Sequence, residues 1–160
     1  MAEELYLDDL SVNEAVAKLH NDNIITANEQ LREAVQPIVD DAANRGVENL
    51  NVIYIDGEPE DVDAFSFARQ VVDQIGGTTI VRSPGNVSVA SEDFSRAAIA
   101  NAEHSMMEIP RDYPKGLDLL LANLTEYVVP WTMYSIIVGL IIVATFVGLT
   151  FYWLRTRPSA

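Results

Sequence analysis

The chain has 160 residues, enough for one ordinary domain with about 30 to spare, and carries 24 acidic against ten basic residues, a formal net charge of −14. Every acid and eight of the ten basic residues precede Val128, so residues 1–127 sum to −16, whereas 128–154 hold no charge at all. The arithmetic excludes a wholly soluble protein and argues against nucleic-acid binding, since an acidic domain without a basic patch repels phosphate. The absence of cysteine excludes disulfides, thiolate catalysis and Cys-ligated metal centres.

The N-terminus, Met1-Ala-Glu-Glu-Leu-Tyr-Leu-Asp-Asp9, has neither a positive n-region nor an apolar h-region and does not read as a secretory signal. Ser11-Val-Asn-Glu14 and Thr26-Ala-Asn-Glu29 both have capping-box spacing and predict two helix starts. The second helix places Leu31, Ala34, Val35, Ile38, Val39 and Ala42 on one face and stops at Gly46. Leu50-Asn-Val-Ile-Tyr-Ile-Asp56 reads as a strand. The turn Gly57-Glu-Pro59 leads into a third helix with Val62, Phe65, Ala68, Val71, Val72 and Ile75 inward, closed by Gly76-Gly77.

Thr78–Arg82 and Asn86–Ala90 then form a hairpin over Ser83-Pro-Gly85. Ser91 is a cap for a fourth helix, whose first turn carries Glu92 and Asp93. Ile109–Pro114 breaks the chain, and a fifth helix from Leu117 to Val128 buries Leu117, Leu120, Leu121 and Leu124. The expected fold is a small three-stranded α/β sandwich, its β-α-β unit parallel and right-handed and its third strand antiparallel. The expected division is 1–127 as an acidic α/β domain, 128–154 as a transmembrane helix and 155–160 as a short basic tail.

The stretch from Trp131 to Trp153 has the roughly 20 apolar residues that a crossing helix needs. Tyr127, Trp131 and Tyr134 at one end and Phe151, Tyr152 and Trp153 at the other resemble interfacial belts. Arg155 and Arg157 follow it, which favours a cytoplasmic C-terminus and an exported domain. The rival arrangement is a tail-anchored cytosolic adaptor. Ala144 and Gly148 form a small-xxx-small pair that suits dimerisation through the helix, or is merely tolerated there.

Four stretches carry a family resemblance: Leu50-Asn-Val-Ile-Tyr-Ile-Asp-Gly-Glu-Pro59, Thr79-Ile-Val-Arg-Ser-Pro84, Asp93-Phe-Ser-Arg96 and Val129-Pro-Trp131. In these the chain resembles short actinobacterial single-pass membrane proteins of unassigned function, typically encoded beside NlpC-type peptidoglycan hydrolases. The element order also looks like the TPM domain. The resemblance implies an extracytoplasmic domain that serves the cell envelope. Its implied partner is a peptidoglycan hydrolase or a division component.

TPM relatives further imply metal binding and acid phosphatase activity. The loop after the first strand offers Asp56, Glu58 and Asp61 for a hard cation such as Ca2+. It lacks EF-hand spacing, and carboxylates beside Pro59 equally suit a helix start. The two histidines, His20 and His104, belong to no metal or catalytic pattern, and His104 suits a helix C-terminus. Ser83, Ser88, Ser91 and Ser95 lie near the hairpin without a nucleophile elbow. The expectation is a non-enzymatic binding protein, with a metal-dependent phosphohydrolase as the alternative. Met106, Met107 and Ile109 form an adaptable apolar segment that docks a protein or covers the domain's own core.

Overall fold

The computed structural model describes residues 4–60, 62–126 and 131–156, and within the last stretch the side chains of 135–150 and 152. The chain divides into two compact units, Met1–Tyr127 and Val128–Ala160. In the first, a 3-10 turn (Leu7–Asp9) precedes α1 (Val12–Leu19), β1 (Ile24–Ile25) and α2 (Glu29–Asp41). A second 3-10 turn (Ala43–Arg45) leads to β2 (Leu50–Tyr54), α3 (Ala64–Ile75), β3 (Thr78–Arg82), β4 (Val87–Ser91), α4 (Arg96–Met107) and α5 (Tyr113–Glu126).

Local chemistry accounts for the helix starts. The Ser11 hydroxyl accepts from the Glu14 amide at 3.2 Å, as the capping box requires. At the second start the cap is Asn28, whose side chain accepts from the Leu31 amide, while Thr26 turns to hold the Asn28 amide. Asp63 caps α3 through the Ser66 amide, so Pro59 lies before that helix and not at its first position. Ser95 caps α4. Ser91 instead ends β4 and shares a hydrogen bond of 2.8 Å with Thr78 inside the sheet.

The sheet has four strands in the order β1-β2-β3-β4, the first three parallel and the last antiparallel. This corrects the expected three-stranded sandwich, and with it the TPM-like element order. The added strand, Ile24–Ile25, is two residues long and pairs with Val52 and Ile53. It is too short for a period-2 pattern to register in the sequence.

Alternation along the strands separates two cores. Ile24, Leu50, Val52, Tyr54, Ile80 and Val89 face α2, α4 and α5. Ile25, Ile53, Ile55, Val81 and Ala90 face α1 and α3. Residues on both faces are almost wholly buried, as expected for a sheet covered on each side. The connections β1-α2-β2 and β2-α3-β3 step the same way across the sheet, yet α2 and α3 cover opposite faces. The two crossovers therefore have opposite hands, and one is of the rare left-handed kind.

The second unit contains α6 (Trp131–Thr156). Among the described residues no helix is long and apolar enough to cross a membrane. The expected crossing helix is corrected accordingly, and the exported orientation that depended on it loses its support. Tyr127 and Arg157 lie outside the described residues, as do the side chains of Trp131, Tyr134, Phe151, Trp153 and Arg155. Within 135–152 the described large apolar side chains, from Ile136 to Tyr152, are about half or more exposed on every side of the helix. Such a helix requires lipid or other apolar surroundings.

Candidate functional site

In parallel α/β sheets a crevice opens beyond the carboxyl ends of two adjacent strands whose connections leave toward opposite faces. Here those strands are β1 and β2, because α2 and α3 depart to opposite sides. A cleft of about 790 Å3 opens beside β1, with Ile24, Ile25, Thr26 and Ala27 among its lining residues. Lys18 and Asp22 contribute from the end of α1 and the turn after it, and Arg32 from the first turns of α2.

The remaining wall is the segment before α1, with Glu4, Leu5, Tyr6 and Asp9. Backbone and side chain both bind it to the end of β2. The Asp56 amide donates to the Leu5 carbonyl at 2.8 Å, and the Leu5 amide donates to Asp56 Oδ2 at 2.7 Å. Asp8 adds bonds from the amides of Glu60 and Val62, both 3.1 Å. The Tyr6 ring rests directly on Gly57, where a Cβ would lie 2.5 Å from it and would displace the ring. Tyr6 itself is the one large apolar side chain left exposed among the described residues of the α/β unit.

The charges of the cleft are Glu4, Asp9, Glu14 and Asp22 against Lys18 and Arg32, a net of −2. Both cations are committed. Lys18 pairs with Glu14 at 3.1 Å, and Arg32 binds Asp22, the Ile24 carbonyl and Glu29. The Tyr6 hydroxyl donates to Glu4, and that carboxylate holds the phenol above its ordinary range. This arrangement presents fixed negative charge beside an aromatic face. It suits recognition of a cationic group.

Of the three residues read as cation ligands, Asp56 holds the cleft wall, and Glu58 accepts from the Ser83 hydroxyl and the Gly85 amide. Asp61 lies outside the described residues. Among the described residues no three His, Cys, Asp or Glu side chains could hold a metal ion together. Met106 is buried in the core, Met107 packs on that core beside Arg82, and Ile109 is half-buried in the turn after α4. Ala144 and Gly148 are exposed on α6, where a Cβ at Gly148 would meet nothing within 4 Å.

His20 is exposed at the end of α1, and His104 is exposed with its Nε2 3.7 Å from Glu108. Ser83, Ser91 and Ser95 serve the hairpin turn, the β3–β4 pair and the α4 cap, and Ser88 is buried in β4. A second, shallower cavity of about 550 Å3 lies along β4. There Glu103 accepts from the Val89 amide at 2.8 Å and Arg96 stacks over Phe65 at 4.7 Å. Burial raises the Glu103 carboxyl above its usual range.

The sequence reading missed Tyr6 and the wall to which it belongs. The wall takes its shape from contacts with β2 about 50 residues away, which no local pattern reveals. It also missed Arg82, although alternation places that residue on the same inward face as Ile80.

No curated protein and no solved structure matches the chain. A family model described as "Membrane protein Rv1476" matches residues 8–160, and the chain therefore belongs to that family of membrane proteins.

Proposed function

We propose that this membrane protein is a non-enzymatic binding module, whose α/β unit takes a cationic segment of a protein partner in the cleft beside β1. The observation that carries this reading is Tyr6. It is the only large apolar side chain exposed among the described residues of its unit, and it stands in the wall of the 790 Å3 cleft beside β1. Aromatic anchors within polar surroundings supply much of the energy at protein interfaces. The −2 charge of the cleft and the −16 of residues 1–127 favour a basic partner and speed its approach.

The 128–160 unit is the attachment to the membrane in this reading, supported by the family and by the apolar surface of α6. An NlpC-type peptidoglycan hydrolase is the specific partner to test, on the strength of the sequence resemblance. The experiment measures binding of the full chain in detergent to such a hydrolase, with Tyr6→Ala and Asp9→Lys variants. Binding that weakens at least tenfold in each variant and declines with salt supports the reading. Equal binding by wild type and both variants would show that the cleft is not the interface. No binding by any of them would remove this hydrolase as the partner.

A further inference from the structure

Arg82 is the largest of the side chains that are almost wholly buried, at 1% exposure. Among the described residues no carboxylate lies within ion-pair distance of it. Nη1 donates to the Asn86 carbonyl at 3.1 Å and to Met107 Sδ at 2.7 Å, while Nη2 reaches the Pro110 carbonyl only at 3.4 Å. Nε is buried with no partner among the described residues. Directly across the strand pair stands Tyr54, whose buried hydroxyl is also without a partner. The Tyr113 ring packs against both, 5.3 Å from the guanidinium and 5.5 Å from the Tyr54 ring.

A buried cation is costly unless paired, and each orphaned buried donor adds to the cost. The unsatisfied side of the guanidinium is its Nε/Nη2 edge. That edge carries two parallel N–H groups, the fork that accepts one carboxylate in bidentate fashion. Tyr54 supplies a third donor on the same face. One negative charge would neutralise the one positive charge, so a monoanion fits this buried site better than a dianion. The roof is the connection from α4 to α5, which includes Pro110 and exposes Arg111. The same turn carries the exposed Arg111, with Glu108 and Asp112 as its acids.

We infer that Arg82 and Tyr54 form a binding site for a monoanionic carboxylate, reached by displacement of the turn at residues 108–112. It lies at the carboxyl ends of β2 and β3 and is independent of the cleft beside β1.

The test uses the full chain in detergent, labelled with 15N-arginine, and follows the Nε–H resonances as sodium acetate replaces sodium chloride at constant ionic strength. The Arg82 signal is assigned by its loss in Arg82→Lys. A saturable shift of that signal is expected, with apparent affinity about tenfold weaker in Tyr54→Phe, the size of one lost hydrogen bond. Tyr54→Phe removes a hydroxyl without a partner, so its fold is retained. A blocked peptide with one glutamate that produces the same shift would identify a protein-borne carboxylate. A shift with acetate alone would identify a small free acid, and either result supports the site. An Arg82 signal indifferent to acetate, an unchanged affinity in Tyr54→Phe, or tighter binding of inorganic phosphate than of acetate would overturn the proposal.

Discussion

Asp56→Ala separates the two roles open to that carboxylate, a clamp on the cleft wall or a ligand for a cation. In the structure Asp56 Oδ2 takes the Leu5 amide at 2.7 Å, while the Asp56 amide independently binds the Leu5 carbonyl. The substitution removes the first bond and leaves the second. A hydrogen bond to an ionised group contributes about 1.5–3 kcal/mol when shielded. This one is exposed, so solvent competition reduces it to about 1 kcal/mol. For a unit of this size the loss lowers Tm by about 4 °C. Asp56→Asn keeps an acceptor oxygen and recovers about half of that. Thermal unfolding of the full chain in detergent, with and without millimolar Ca2+, is the assay. The clamp role predicts that Ca2+ moves wild type and Asp56→Ala equally. A Ca2+-dependent rise of several degrees in wild type that vanishes in Asp56→Ala would refute the clamp argument and restore a metal site.

Three further perturbations follow from other parts of the fold. Gly77 has φ +75°, and a Cβ there would lie 2.4 Å from the Asn49 carbonyl oxygen; Gly77→Ala should cost about 3 kcal/mol by urea unfolding, the sum of a left-handed backbone penalty and a backbone clash. Glu103 has a carboxyl raised by burial, so its contribution is most favourable below the ordinary value near 4.3 and is lost as pH rises through the folded value. Glu103→Gln, which keeps an acceptor for Val89, should therefore raise Tm by about 2 °C at pH 7 and leave it unchanged below about pH 4. Asp63 has the opposite sign, since its bonds from Ser66 lower its carboxyl; Asp63→Ala should lower Tm at neutral pH, with the difference closing as pH falls below about 3.9. Finally, under the proposed attachment the protein should sediment with membranes through a high-salt wash, and release by salt alone would refute attachment through the apolar surface of α6.

How far the residues disclose the fold can be judged element by element. Where one side chain decides a local structure, the sequence is sufficient: Ser11 caps α1, Gly76 stops α3, and Pro84-Gly85 sits in the turn between β3 and β4. Where two nearby groups compete, it is ambiguous. Thr26 and Asn28 both have capping side chains, and Asn28 prevails because its oxygen meets the Leu31 amide while Thr26 supports Asn28 itself. Where the decisive partner is remote, the sequence is silent. The carboxylates of Asp56 and Glu58 look like a cation loop in one dimension, but one clamps Leu5 and the other the Ser83–Gly85 turn. Arg82 was legible in part, since period 2 turns it inward, yet only the paired register sets it opposite Tyr54.

The two edges of the sheet explain why the cleft lies where it does. At the β4 edge Glu103 occupies the outward Val89 amide, and Arg96 over Phe65 links α4 to α3 across it, which obstructs further pairing at that point. At the β1 edge the strand ends after two residues, and nothing continues the sheet beside the carboxyl end of β2 except the segment around Leu5. The chain thus leaves open one end of one edge, and its lining includes four acids, two paired cations and a single aromatic ring. The described surface of α6 is apolar on every side. One such face discriminates little from another, so in the proposed reading it serves attachment, while the charged unit carries the chemistry that selects a partner.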